Sequence, residues 1–466
     1  SGEQPDVSEF DHLGGAPLLR LAMSSKGRCT LGASCCGKFD QQTAWLRHVG
    51  VYMAFFLVGA GAGWFPVDAI FNLILNEPEL GSEWFGTMCS TLGGVGIAQS
   101  IAFFLYRVMR TPGLLSVWVE QCRVAAVISA AVILLFVLSV AWSVDAPHYP
   151  VMIGAAVLAV LVTNSTYFFI FPFIAVQYGG WLVAPVRTGS DVASLVTALL
   201  GEAQNPSGSR VVFPSSYLLQ GYGGFAVLGL GAWLTIVQLR IGLREKRTGS
   251  DLESTACEDD LETSTSGVAT SAPSTQQRIR KALNGFACPR CLFTPVLIGT
   301  TCDVLQWGIM AAVSDIGAQM TDPAGCNGMR GRWVARTSFT ANRIAVPLGS
   351  FASTLAPCSR RVFKALSIVQ VMGTLAMISA SVGFFRSAWT TFAGQIAYIV
   401  CYCGTGGLEG YLLTMSYRFV GEESDLSEEL RHSSSTLLSF LNIFLVDAGA
   451  LLMGSLVSGG VIRCRS

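Results

Sequence analysis

Eleven long apolar runs, six before and five after one polar segment, limit what this chain can fold into more than any other feature. A helix needs about 20 apolar residues to cross the ~30 Å hydrocarbon core of a membrane. The runs predict an all-α polytopic membrane protein with eleven transmembrane helices in two bundles of six and five. They cover residues 49–75, 84–107, 122–144, 150–175, 180–204, 213–240, 292–319, 335–356, 362–384, 389–417 and 433–460.

Composition supports a membrane protein and excludes several other classes. The chain has 466 residues, of which 51% are hydrophobic and only 13% are charged, whereas soluble domains carry about 25% charged residues. Its net charge is zero, so nothing points to a nucleic-acid partner. The sequence has no GxxxxGK[ST] phosphate loop, no HExxH motif and no paired nucleophile and base. We therefore expect neither an enzyme nor a resident cofactor or metal.

The polar stretches divide the chain into two membrane units. Residues 248–277 contain almost no large apolar side chains and many Ser, Thr and acidic residues, which is typical of a disordered linker. We predict a disordered cytosolic tail at 1–46, a six-helix bundle at 47–244, a disordered cytosolic loop at 245–290, a five-helix bundle at 291–462 and a short outer tail at 463–466.

Basic residues in the short loops set the expected orientation, because cytosolic loops are enriched in Lys and Arg. The loop after the first run has no Lys or Arg, as expected for an outer loop. The loop at 320–334 is also expected outside but contains Arg330 and Arg332, so it is an exception. Alternation places the N-terminus in the cytosol and the C-terminus outside. The cytosolic basic residues that decide this include Arg107, Arg110, Arg123, Arg244, Lys246, Arg247, Arg360, Arg361 and Lys364.

A single CxxC motif, Cys288 to Cys291, precedes the seventh run. A structural zinc site needs four ligands, and no second cysteine pair or histidine cluster lies near it in the sequence. Palmitoylation at the membrane edge and inert thiols remain the other two explanations, and the role of this pair stays open.

Polar side chains inside the apolar runs are the main lead to function, since a charge at the bilayer centre costs about 2.5–3.5 kcal/mol on insertion scales. In the first run Trp64, Asp68 and Asn72 are four residues apart and share one helix face. Pro66 lies among them and predicts a broken helix. In the fifth run Arg187 and Asp191 share a face in the same way.

The full set of candidate substrate-binding residues supports two interpretations, of which we favour the first, because a merely structural bundle would not need so many polar side chains. One is a polar and aromatic cavity for a planar, neutral, hydroxyl-rich ligand, with Trp64 and Trp307 stacking on its ring. The other is a set of structural ion pairs between helices, for example Arg343 with an aspartate. The set comprises Trp64, Asp68, Asn72, Asn164, Arg187, Asp191, Asp303, Trp307, Ser314, Asn342, Arg343 and Glu409.

Several strings resemble the eukaryotic riboflavin transporter family of solute carriers. PLGSFASTLAP at 347–357 is similar to the family's PLASxxSxxLP, and GSDVASLVTALLGEAQ at 189–204 is similar to its GEGLSGLxPALVALAQ. The resemblance implies eleven spans, a cytosolic N-terminus and riboflavin transport across the plasma membrane. The chain departs from the family pattern at Asp191, Asp303, Trp307 and Ser314.

Two alternatives stay beside that resemblance. FFLVGAGAGWFPVDAIF at 55–71 and Gly410-Tyr411-Leu412 look somewhat like signatures of equilibrative nucleoside transporters, which share the eleven-span layout and a fold related to the major facilitator type. The second alternative is a receptor or scaffold that has a transporter fold and carries nothing.

For a carrier we expect alternating access of the two bundles. A proton could then bind to Asp68, Asp191, Asp303 or Glu409. The oligomeric state is not predicted.

Overall fold

The computed structural model describes residues 36–76, 83–109, 116–144, 149–204, 212–240, 288–324, 328–423, 425–459 and 462. Helices occupy all eleven predicted segments, and these ranges contain no strand. The long helices are α1 (Cys36–Ala62 and Phe65–Asn76), α2 (Glu83–Met109), α3 (Val117–Val144), α4 (Tyr149–Ser165, Thr166–Ile170 and Phe171–Gln177), α5 (Val183–Gln204), α6 (Ser215–Gln238), α7 (Arg290–Asp303, Val304–Met310 and Ala311–Met320), α8 (Met329–Leu355), α9 (Arg360–Ser381), α10 (Phe392–Glu422) and α11 (Glu428–Ser458). Two short helical segments, Gly180–Leu182 and Arg386–Trp389, precede α5 and α10.

Length and hydropathy qualify fewer of these helices as membrane spans than the sequence predicts. Within the described residues eight helices are long and apolar enough, or nine if the bent helix α1 is taken as one span. Helices α5 and α8 fall short of that measure. Both carry charged side chains that the fold buries against other helices, Arg187 and Asp191 on α5 and Arg343 on α8, so their low hydropathy reflects contact with protein rather than with lipid.

Large apolar side chains face outward around the bundle. On α3, Ile133 is 63% exposed and Val137 is 59% exposed, and on α9, Ile368 is 63% exposed. Soluble proteins rarely expose contiguous apolar surface of this kind. The outer surface is therefore suited to the hydrocarbon core, and the chain is a multi-pass membrane protein.

The first helix starts earlier than predicted. It begins at Cys36, within the stretch predicted as a disordered tail, because residues 38–49 contain no Gly or Pro to interrupt a helix. The predictions for residues 1–35, for the 245–287 part of the cytosolic loop and for 463–466 fall outside the described residues.

The break predicted in α1 is present. The helix ends at Ala62, restarts at Phe65 and bends by 47°. Pro66 has no N–H to offer the carbonyl of Ala62 four residues earlier, and the hydroxyl of Thr166 on α4 donates to that carbonyl instead. The break thus ties α1 to α4 beside the candidate residues Trp64 and Asp68.

Helices α4 and α7 each contain a π-helical segment near mid-length, at Thr166–Ile170 and Val304–Met310. Segments of this kind often mark functional sites, because the extra residue per turn redirects the side chains around it. Tyr167 lies on the first and Trp307 on the second.

Glycines allow the closest helix contacts within each bundle. A Cβ at Gly59 of α1 would lie 1.9 Å from the backbone oxygen of Val186 on α5, and one at Gly349 of α8 would lie 1.9 Å from the oxygen of Gly407 on α10. Between the bundles, α2 runs along α11 and α5 runs along α8. These two pairings hold the halves together.

Gly59→Ala is expected to destabilise the protein, because the new methyl group has no room against the α5 backbone. Overpacking of this kind costs about 1–3 kcal/mol, which a thermal unfolding scan of the purified protein measures as a lower midpoint. Gly50→Ala on the same helix is the matched control, since a Cβ there meets nothing within 4 Å. If both variants lower the unfolding midpoint equally, overpacking against α5 is not the cause of the destabilisation.

Candidate functional site

Arg187 on α5 lies at the centre of the molecule and is fully buried. Its Nε is 3.1 Å from Asp191 Oδ1, one helical turn further along α5. Its Nη2 is 2.8 Å from Glu409 Oε1 on α10, and its Nη1 donates to the Tyr167 hydroxyl on α4. One guanidinium group therefore joins three helices and two carboxyl groups.

A second carboxyl group lies beside Glu409. The side chains of Asp303 on α7 and Glu409 are within hydrogen-bonding reach of each other. Among the described residues no N–H or O–H reaches Asp303 Oδ1 or Glu409 Oε2, and both atoms are buried. Two adjacent buried carboxyl groups avoid repulsion when they share one proton.

Arg343 on α8 forms the second charged contact. Its Nη2 is 3.0 Å from Asp68 Oδ1 on α1, and the Ser194 hydroxyl on α5 donates to Asp68 Oδ2. The guanidinium carbon of Arg343 lies 4.6 Å from the ring centroid of Trp307 and 4.9 Å from that of Phe339. Both distances are within the range of a cation–π interaction, so this cation is held by two aromatic rings as well as by Asp68.

Trp64 and Trp307 are in direct contact. Their ring centroids are 6.1 Å apart with an interplanar angle of 25°, and Trp64 also meets Tyr167 edge-on, at 5.9 Å and 70°. A planar ligand that stacks on both tryptophans would first have to separate α1 from α7.

Two further hydrogen bonds join a helix of the six-helix bundle to a helix of the five-helix bundle. The Ser350 hydroxyl on α8 donates to Asp191 Oδ2 at 2.6 Å. Asn164 Nδ2 on α4 donates to Asp447 Oδ2 on α11 at 3.1 Å. All four of these side chains are buried.

These contacts share one property, which is that each joins the six-helix bundle to the five-helix bundle. They are Arg187 to Glu409, Asp68 to Arg343, Asp191 to Ser350, Asn164 to Asp447, and Trp64 to Trp307. The ion-pair interpretation of the sequence describes this arrangement better than an open cavity does. The structure is thus a closed state in which the two halves meet through buried polar and aromatic side chains, most of them predicted from the sequence.

Two predicted residues lie elsewhere, and the side chain of a third is not described. Asn342 Nδ2 donates to the backbone oxygen of Tyr402 at 2.8 Å, inside the five-helix bundle. Ser314 is half-buried, and its side chain hydrogen-bonds to Tyr402 in the same bundle. Asn72 belongs to the second part of α1, and its side chain lies outside the described residues.

Tyr167, Ser350 and Asp447 take part in the contacts described above but are absent from the predicted set. Tyr167 directly follows the polar run Asn164-Ser165-Thr166, and Ser350 lies in PLGSFAS on the same α8 face as Arg343, seven residues later. Asp447 is a lone acid in the long apolar run of α11. The intramembrane position of Asp447 is the clearest of these signals.

The charges of this central cluster do not balance. Two guanidinium groups face five carboxyl groups, so full ionisation would leave three net negative charges among buried side chains. Unit charges interact strongly in a low-dielectric interior, and several kcal/mol per unpaired ion is a typical penalty. The closed arrangement therefore favours proton binding by some of these acids. The residues are Arg187, Arg343, Asp68, Asp191, Asp303, Glu409 and Asp447.

No metal-binding cluster of three or more His, Cys, Asp or Glu residues occurs in the parts of the chain that the structure describes. Cys288 is half-buried and Cys291 is exposed at the start of α7, and both thiols are free. The backbone oxygen of Cys291 accepts a hydrogen bond from Arg360 Nη1 at 3.0 Å. The CxxC motif thus lies at a helix start, away from the central cluster.

No protein-family model and no curated protein sequence matches the chain. Solved structures do match it. The fucose:proton symporter of E. coli is 13% identical, with a TM-score of 0.46 over 88% of this chain and 96% of that chain. The major facilitator superfamily proton:xylose symporter, solved with 6-bromo-6-deoxy-D-glucose, is 11% identical, with a TM-score of 0.52 over 89% of this chain and 88% of that chain.

The likeness to the xylose symporter confirms the predicted fold class. The chain shares the all-α, two-bundle fold of that symporter. An identity of 11% shows the fold alone. None of these comparisons points to the riboflavin transporter family.

Proposed function

We propose that the chain is a proton-coupled carrier that moves a small, planar, hydroxylated solute across a membrane by alternating access. The observation that supports this most is the cluster at the bundle boundary, which buries five carboxyl groups and only two guanidinium groups, three of the carboxyl groups being ion-paired with them. Every contact that joins the halves there must break when the carrier opens. The same contacts are the ones whose charge state depends on bound protons.

The coupling follows from the charge each half keeps after opening. When the bundles part, Arg187 keeps Asp191 on its own helix, 3.1 Å away. Glu409 loses Arg187 and keeps only Asp303 beside it, so the pair exchanges its proton with the water on the open side. Closing without that proton would bury an extra negative charge, which costs several kcal/mol. The empty carrier with an ionised pair therefore closes poorly, and the proton is carried with the solute.

The solute class follows from the rings beside the charges. Trp64, Trp307 and Tyr167 offer aromatic faces, and the nearby hydroxyl and amide groups suit a hydroxylated partner. Riboflavin is our first candidate because of the strings at 347–357 and 189–204. A nucleoside, also a planar ring with a hydroxylated sugar, is the second. We place the protein in the plasma membrane with a cytosolic N-terminus and an outer C-terminus.

Uptake of radiolabelled riboflavin and adenosine into proteoliposomes, with the inside made alkaline, tests this proposal. Accumulation of riboflavin above its outside concentration supports the first candidate, and accumulation of adenosine supports the second. If neither solute accumulates and neither raises the unfolding temperature of the purified protein, the receptor or scaffold alternative replaces the carrier. Liposomes without protein correct for passive entry.

Trp64→Ala and Trp307→Ala are each expected to raise the solute concentration that gives half-maximal transport by about 10-fold. Stacking of a ring on an aromatic side chain is worth about 1–3 kcal/mol, and each 1.4 kcal/mol corresponds to about tenfold in affinity. Trp333→Ala on α8, a residue 47% exposed, is the matched control and should leave half-saturation unchanged. Wild-type affinity in both central variants would remove these rings from the solute site.

A further inference from the structure

Asp447 is a buried acid in the middle of α11 that lies apart from the arginine pairs. Its side chain is 7% exposed, and Asn164, whose Nδ2 donates to Asp447 Oδ2 at 3.1 Å, is 2% exposed. Asn164 lies on α4, in the other bundle. The hydrogen bond therefore exists only while α11 is packed against the six-helix half.

Glycines of α2 build the space around this carboxyl group. A Cβ at Gly96 would lie 2.0 Å from Asp447 Oδ2, and a Cβ at Gly93 would lie 2.5 Å from the Asp447 backbone oxygen. Only the missing side chains let α2 approach α11 so closely. Helices α2, α4 and α11 thus enclose the carboxyl group in the closed state.

No described Lys or Arg forms an ion pair with Asp447, and the charged group that acts on it is another acid, Asp303 on α7. The other described charged or basic side chains on α11 and the helices packed against it are Arg107 on α2, Arg290 and Asp315 on α7, Glu409, Arg418 and Glu422 on α10, and Glu428, Glu429, Arg431 and His432 on α11. The thiols and phenols are Cys89 and Tyr106 on α2, Tyr167 on α4, Cys291 and Cys302 on α7, and Tyr398, Cys401, Tyr402, Cys403, Tyr411 and Tyr417 on α10. An isolated buried carboxylate beside a second acid is strongly unfavourable, so such a group becomes neutral.

We propose that Asp447 is a second proton-binding site, distinct from the Asp303–Glu409 pair, which holds its proton while α11 is packed on α2 and α4. The Oδ2 atom accepts from Asn164 as a carbonyl oxygen, and the proton resides on Oδ1. When the halves part, Asn164 moves away, water reaches the carboxyl group and the proton passes to that water, leaving a carboxylate. This proposal rests on the carrier function proposed above and adds a second proton to its cycle.

Infrared difference spectroscopy of the purified full chain in nanodiscs at neutral pH tests the site without any solute. A protonated carboxylic acid has a C=O stretching band that a carboxylate lacks. The spectrum of wild type minus Asp447→Asn should contain one such band. Asn164→Ala should shift that band to higher frequency, because the C=O group loses its hydrogen bond, without removing it.

Glu423→Gln is the matched control, since Glu423 is ion-paired with the exposed Arg360 and lies outside the central cluster. Its difference spectrum should contain no protonated-acid band. The proposal is overturned if Asp447→Asn, with a wild-type unfolding temperature, removes no protonated-acid band, or if the band does not respond to Asn164→Ala. A failure of proton-driven uptake with the Asp447 band still present would instead contradict the proposed function and leave this site standing.

Discussion

Arg187→Gln is expected to abolish transport and to lower the stability of the protein more than any other single change at the centre. The guanidinium group is the cation that faces Asp191, Glu409 and the Tyr167 hydroxyl at once. Removing one partner of a buried ion pair costs about 3–5 kcal/mol, because the other charge stays buried and unpaired. Thermal unfolding of the purified variant and uptake into proteoliposomes measure the two effects.

Two variants separate loss of charge balance from loss of a fold. Adding Glu409→Gln to Arg187→Gln removes the orphaned carboxylate, so we expect stability to recover in part while transport stays absent. Arg360→Gln removes an exposed pair with Glu423 and should cost less than about 1 kcal/mol. If Arg187→Gln unfolds at the wild-type temperature, the central ion pairs do not hold the closed state together.

Asp303→Asn is expected to separate solute movement from proton movement. The amide keeps the shape of the side chain and can donate to Glu409, but it cannot exchange a proton with water. Solute exchange between the two sides should continue, whereas uphill accumulation driven by a proton gradient should fall to the level of equilibration. Counterflow measures the solute exchange, and gradient-driven uptake into the same proteoliposomes measures the uphill accumulation.

Asp315→Asn is the control on the same helix. Asp315 is exposed and accepts a hydrogen bond from Gln319 at 2.7 Å, so its loss should leave gradient-driven accumulation intact. An Asp303→Asn variant that accumulates solute as wild type does would contradict a coupling role for the carboxyl pair. Loss of both exchange and accumulation in a folded variant would assign Asp303 to solute binding instead.

Much of the architecture was predictable because membrane helices leave a long and simple trace in sequence. Helices occupy all eleven segments, and the break in α1 follows from Pro66, whose missing N–H frees the carbonyl of Ala62. The close contact of Arg187 with Asp191 also follows from their four-residue spacing. Hydropathy was a weaker guide for α5 and α8, which are polar because other helices cover them.

The sequence could not predict which side chains pair across the bundle boundary. Spacing along one helix fixes which side chains share a face, but not which helix that face meets. The ion-pair alternative therefore offered an aspartate as a partner for Arg343 without selecting Asp68, and the favoured interpretation was a cavity. The π-helical segments in α4 and α7 turn Tyr167 and Trp307 in ways that a regular 3.6-residue period does not predict. Asn342 and Ser314, which were predicted to bind substrate, form hydrogen bonds within the five-helix bundle.

The proton flux that accompanies solute entry tests the central claim most directly. Proteoliposomes in a weakly buffered suspension receive riboflavin or adenosine with no imposed gradient, and an external pH electrode follows the medium. If the buried acids carry protons with the solute, the medium becomes alkaline as the transported solute enters, and Asp303→Asn abolishes the pH change while the solute still equilibrates. Entry of the solute into wild-type vesicles with no change in external pH would contradict proton coupling through this cluster.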